Sequence, residues 1–242
     1  MTSQLPPTPA GEVAKRPLEF FWIADHSSSM KGQKIASLNQ AIREVIPKVT
    51  EALQSHPEVD VKMRAIKFAQ HANWHIGDQN NSIPLEDFSW PELKAGGITA
   101  TAQAIDLLAD ILSLEYMPRR GLPPVCVLIS DGFCTDTEEE YLQAIKKLNN
   151  QDWGKQAVRL AIAVGDESDY DEEQFLKFVS HQEIGVLKAH NPEELLNYIE
   201  WASISVIREA SLSKGRNEDN QNVILSPPPV LQPTLADSNE SF

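Results

Sequence analysis

Two stretches of the chain end an apolar run in an aspartate, and the residues around them are hard oxygen donors. The first is FFWIADHSSSMKGQKI, Phe20 to Ile35, where Asp25 is followed by Ser27, Ser28 and Ser29 before any helical spacing begins. Alternate residues of an extended segment point the same way, so Ser27 and Ser29 share a direction. The second is LISDGFCTD, which places Asp131 before Gly132. Between them GGITATAQAI sets Thr99 and Thr101 at a glycine-rich turn that opens a helix. Hydroxyls supply neutral oxygens and the carboxylates supply charge, a donor set that suits Mg²⁺ in near-octahedral coordination with several waters retained. A shell made mostly of hydroxyls leaves the ion under-neutralised, open to an acidic side chain from another molecule. That is the chemistry of adhesion rather than of turnover.

Each piece alone has a plainer use. Asp-x-Ser-x-Ser also makes a strand-end turn, Asp-Gly is an ordinary turn signal, and Thr99 is placed to cap its helix. The pieces gain meaning only if the fold brings them together, which depends on the elements that carry them. Apolar strands alternate with helical patterns. LEFFWIA (18–24) reads as a buried strand. KIASLNQAIREVIPKVTEAL follows as a helix with Pro47 inside it, expected to bend it. VDVKMRAIKFA is a strand, with ANWHI a short edge hairpin against it. TATAQAIDLLADILSLEYM is the next helix, PVCVLIS a continuous apolar strand, and TEEEYLQAIKKLNN a helix with Thr137 and Glu140 in a capping box. AVRLAIAVG, DEEQFLKFVSH, GVLKA and NPEELLNYIEWASISVIREA continue as strand, helix, strand and helix, the last capped by Asn191 with Glu194 closing the box. This order predicts an α/β fold: a doubly wound, mostly parallel sheet with helices on both faces and one short antiparallel edge strand. In such sheets ligands bind beyond the carboxyl ends of the strands, where connections reverse. Asp25, the threonines and Asp131 meet there if the first and fourth strands are neighbours.

The chain has 242 residues and a net charge of −14, with no Lys/Arg stripe. Nucleic acid and anionic membrane surfaces are therefore not expected partners. No apolar run approaches the ~18–20 residues that a bilayer span needs. Residues 1–16 read as a disordered lead without a targeting signal, 17–210 as the folded domain, and 211–242 as a disordered tail containing SPPPVLQP. The two cysteines, Cys126 and Cys134, are expected to be reduced in a cytoplasm.

Asp25-His26-Ser27-Ser28-Ser29, a distant threonine and the distant Asp131 before Gly132 resemble the metal-ion-dependent adhesion site of von Willebrand factor A domains. The resemblance covers about residues 17–210, and its run of threonine, small residues and an aliphatic favours Thr99 over Thr101. It departs from the family at Ser28, where glycine is usual, and at Ile98, which interrupts Gly-Gly-Thr. SSSMKGQKIASLNQAI, LISDGFCTD and YIEWASISV are most similar to the bacterial tellurite-resistance TerY-type group. The resemblance implies a Mg²⁺ or Mn²⁺ ion touched by Ser27, Ser29 and Thr99, with Asp25 and Asp131 acting chiefly through water. It also implies a cytoplasmic, non-enzymatic protein whose partner supplies a Glu or Asp, in a stress-response setting with kinase and phosphatase modules.

Other patterns were weighed against it. HANWH has zinc-protease spacing but no glutamate. GDESDYDEE (165–173) lacks the glycine and final glutamate of a calcium loop and reads as a solvated helix start. His26 reads as a loop-surface residue. Two rival functions stay open. One is a Mg²⁺-dependent phosphoryl-transfer enzyme of haloacid-dehalogenase-like layout with Asp25 as nucleophile, although its second aspartate is here Ser27. The other is a scaffold that binds no metal.

Overall fold

The computed structural model describes residues 15–212 and 223–229. Strand β1 (Arg16–Asp25) leads through a short 3₁₀ turn at Ser28–Met30 into α1 (Gln33–Leu53). Then come β2 (Val59–Phe68), β3 (Ala72–Ile76), β4 (Ile83–Pro84), α2 (Thr101–Ile111) and β5 (Val125–Ser130). The chain continues with α3 (Glu138–Asn150), β6 (Val158–Val164), α4 (Glu172–Phe178), β7 (Val186–Ala189) and α5 (Pro192–Leu212). The sheet order is β3-β2-β1-β5-β6-β7, parallel except for β3 and the two-residue β4, both of which pair antiparallel with β2. The predicted doubly wound fold is therefore observed. β5 is the fourth of the predicted strands, and it does lie beside β1.

Period-two alternation divides the core. Leu18, Phe20, Trp22 and Ala24 of β1 pack with Leu38, Ile42 and Val45 of α1 and with Leu195, Ile199 and Ala202 of α5. Phe21 and Ile23 face the other way, onto Ile105 and Leu108 of α2 and Ile145 and Leu148 of α3. All four aromatic and aliphatic side chains at 20–23 are fully buried, each contributing about 1.5–3 kcal/mol relative to exposure.

The differences from expectation are local. The expected helix with Pro47 inside it is present as the continuous α1. α2 starts at Thr101 and stops at Ile111, shorter than the apolar pattern from Thr99 to Met117; at its start the Thr99 carbonyl is engaged in the loop, accepting from Thr101 and Thr135 N–H. The Thr137 capping box forms as expected. At α5 the Asn191 side chain accepts from Glu194 N–H, but the Glu194 carboxylate accepts from His190 N–H, one residue before the cap. Most of the expected lead and tail lies outside the described residues. Within the predicted tail, however, α5 reaches Leu212, and Val223 and Leu225 join the hydrophobic core. Both are buried there, and His181 Nε2 donates to the Val223 carbonyl at 2.7 Å. The apolar Val223, Ile224 and Leu225 are what a reading of average tail composition overlooked.

Candidate metal centre

β1 is flanked by β2 on one side and the parallel β5 on the other, and β5 by β6, so the connections out of β1 and out of β5 leave their carboxyl ends in opposite directions. Asp25 is the last residue of β1 and is fully buried. Its Oδ1 accepts from Ser27 N–H at 2.6 Å, and its Oδ2 accepts from the Ser130 hydroxyl at 2.5 Å. Burial pushes the Asp25 carboxyl up to about 6, against the hydrogen bonds from Ser130 and Ser27. The bond to Ser27 N–H fixes the turn that follows, and that turn aims the serines. No non-glycine residue among those described has a positive φ, so Ser28 sits where glycine was expected without strain.

Ser27 Oγ lies 2.9 Å from Ser29 Oγ, and Ser29 Oγ donates to Asp131 Oδ1 at 2.7 Å. Ser27 and Asp131 are buried, whereas Ser29 faces solvent. Thr99 closes the group. A Cβ built on Gly132 would stand 3.3 Å from Ser29 Oγ and 3.4 Å from Thr99 Oγ1, so both hydroxyls crowd one side of that glycine. Thr101 is also buried, but it lies beside the Cys134 thiol, which donates to Asp136 Oδ2 at 2.9 Å. The three loops are sewn together by backbone: Ser28 N–H to Gly97 O at 2.9 Å, Gly96 N–H to His26 O at 2.7 Å, and Thr135 N–H to Thr99 O at 2.9 Å. Gly97 must be glycine, since its φ is +95° and a Cβ would come within 3.1 Å of Gln70 N. His26 is a tie within this weave, donating from Nδ1 to the Lys94 carbonyl at 3.1 Å.

Sequence reading missed Ser130, Lys34 and Asp169. Ser130 adjoins Asp131 and alternates onto Asp25. Lys34 Nζ lies 2.8 Å from Asp131 Oδ2 and 3.3 Å from Asp169 Oδ2. Asp169 belongs to the acidic run read as a solvated helix start. Only part of that run has this use, through Asp171, whose Oδ1 accepts from Glu173 and Gln174 N–H. A basic residue in the first turn of a helix carries no signal of its own, and one carboxylate among six in a run is not distinguishable by spacing.

Among the described residues no three His, Cys, Asp or Glu side chains converge as a metal cluster. A cation here would depend on hydroxyls. The spacing of the two serines fits one: adjacent oxygens around an octahedral Mg²⁺ are about 2.9 Å apart at the usual ligand distance, matching the 2.9 Å Ser27–Ser29 contact, and the Ser29 hydrogen bond sets the Asp131 carboxylate beside them.

No family model matches the sequence, and no curated protein matches it. Solved structures do. A von Willebrand factor type A protein from Catenulispora acidiphila matches with a TM-score of 0.59 at 16% identity, over 79% of this chain and 42% of its own. The fold is that of a von Willebrand factor A domain. The ArnB paralog VWA2 from Sulfolobus acidocaldarius matches with a TM-score of 0.54 at 16% identity, over 75% of this chain and 44% of that one. Proximal thread matrix protein 1 from the mussel byssus, in a structure with a zinc-occupied MIDAS motif, matches with a TM-score of 0.53 at 17% identity, over 80% and 46%. The chain thus spans less than half the length of each of these three. No helix among its described residues is long and apolar enough to cross a membrane.

Proposed function

We propose that the chain is a metal-dependent protein-interaction module. Ser27, Ser29 and Thr99 hold a Mg²⁺ or Mn²⁺ ion, Asp25 and Asp131 hold it chiefly through water, and a partner's Glu or Asp completes its shell. Bound there, the ion supplies a Lewis-acidic position for a carboxylate. The observation that carries this reading is the convergence above the β1/β5 crevice of the Ser27 and Ser29 hydroxyls, at octahedral-edge spacing, with the Asp131 carboxylate, Ser29 being open to solvent.

Two further features favour a protein partner. Ile98 and Phe133 flank the site, one beside Thr99 and one beside Gly132, and are 55% and 54% exposed. Large apolar side chains left in solvent around a polar centre mark a contact surface. The rival phosphoryl-transfer reading calls for a second aspartate two residues after Asp25, and that position is Ser27. The thiols offer no alternative nucleophile, since burial holds Cys126 up at about 12 and Cys134 at about 11. The resemblance of the loop sequences to TerY-type proteins supports a cytoplasmic stress-response setting, with a kinase or phosphatase module as partner.

The test is a pulldown from a source extract with Mg²⁺ or with chelator, read by mass spectrometry, alongside Asp25→Asn. Capture that needs metal and is lost in Asp25→Asn supports the reading. Capture indifferent to chelator, or Mg²⁺-dependent phosphatase turnover lost in Asp25→Asn, overturns it.

A further inference from the structure

We infer that Lys34 is a tethered cation that competes with the divalent ion for Asp131, and that Asp169 is the acceptor that draws it off, so that the pair sets the affinity of the site. This rests on the metal reading above. The two oxygens of Asp131 are divided: Oδ1 accepts from Ser29 at 2.7 Å, on the hydroxyl side, and Oδ2 accepts from Lys34 Nζ at 2.8 Å. An ion held by the serines and an ammonium on the other oxygen of the same carboxylate are like charges at close range, in a place where the Asp131 side chain has no exposure and that of Lys34 only 15%. Each weakens the hold of the other.

The second half of the inference comes from the β6–α4 loop. Asp169 Oδ2 shares the same ammonium at 3.3 Å and is itself steadied by Asp166 N–H at 3.2 Å. Gly165, at φ +111°, makes the room. A Cβ on it would stand 2.7 Å from Asp169 Oδ2 and 2.8 Å from Lys34 Nζ, closer than real side chains approach. The loop is therefore shaped to seat this ion pair. When Asp169 takes more of the lysine, Asp131 is freed for the ion.

Titration calorimetry of the full chain with MnCl₂ at one fixed pH tests this, using wild type, Lys34→Met, Lys34→Arg, Asp169→Asn and the Lys34→Met/Asp169→Asn double variant. Lys34→Met is expected to bind Mn²⁺ at least tenfold more tightly, and Lys34→Arg within a few-fold of wild type. Asp169→Asn is expected to bind three- to tenfold more weakly, an effect that vanishes when Lys34 is already Met. Lys34→Met affinity equal to or below wild type overturns the inference alone, as does an Asp169→Asn effect that persists in the double variant. If Lys34→Met does not fold, unchanged affinity in Asp169→Asn overturns it. Absence of Mn²⁺ binding in wild type and every variant defeats the metal reading itself, and this inference with it.

Discussion

β1 carries two buried carboxylates on one face, Glu19 and Asp25, about 20 Å apart along the strand. Glu19 is closed. Arg64 Nη1 donates to its Oε2 at 2.8 Å, Ser82 to its Oε1 at 3.1 Å, and Arg64 itself bonds the Asp78 carbonyl and lies over the Phe21 ring. Burial raises the Glu19 pKa, opposed by the Arg64 charge, so its neutralising cation is built into the fold. Asp25 has hydrogen-bond donors but no cation of its own, and the group it organises opens to solvent at Ser29. A buried carboxylate with its own arginine is finished structure. A buried carboxylate that aims hydroxyls at the surface is a place where charge is still to be supplied.

The sharpest way to break the comparison is at the closed end. Arg64→Ala leaves Glu19 buried without its partner and should cost about 3–5 kcal/mol in urea denaturation, with Mn²⁺ affinity per folded molecule unchanged. Asp25→Asn should do the reverse. It keeps an acceptor for Ser27 N–H, so stability at pH 8 is held or improved, while Mn²⁺ affinity drops at least about 100-fold, or about 3 kcal/mol.

The pH response sharpens the same contrast. Asp25 is raised by burial to about 6, so the folded chain holds its proton more firmly than the unfolded one. Its stabilising contribution is complete below the ordinary aspartate value near 4 and is lost as pH rises through about 6. Metal binding needs the charged form, so Mn²⁺ affinity should fall between pH 7.5 and 5.5 while the chain without metal does not lose stability through this group. Glu19, raised in the same direction, adds no acid lability there. Calorimetry and thermal melts across that range check both. The smallest expected effect separates the threonines: Thr99→Val should weaken Mn²⁺ about tenfold, and Thr101→Val, facing Cys134, should leave it unchanged.

Strands and helices were legible because burial imprints periodicity, and the meeting of Asp25, Ser27, Ser29, Thr99 and Asp131 because strand ends and turns have recognisable residue types. The preference for Thr99 over Thr101 came from the resemblance, since both stand at the same helix start and spacing alone does not separate them. Glu19 and Arg64 were hidden for a different reason. Each sits inside an apolar strand, and their pairing depends on the β1–β2 register. Lys34 and Asp169 are 135 residues apart and meet only across the top of the sheet. The buried Val223 and Leu225 were masked by the polar and proline-rich residues around them.

The most direct test is anomalous diffraction at the manganese edge from crystals grown with MnCl₂. The account expects a single strong peak within ligand distance of the Ser27 and Ser29 hydroxyls, beside Thr99 and Asp131. A fully occupied peak elsewhere on the chain, or none at that point at saturating Mn²⁺, would contradict it.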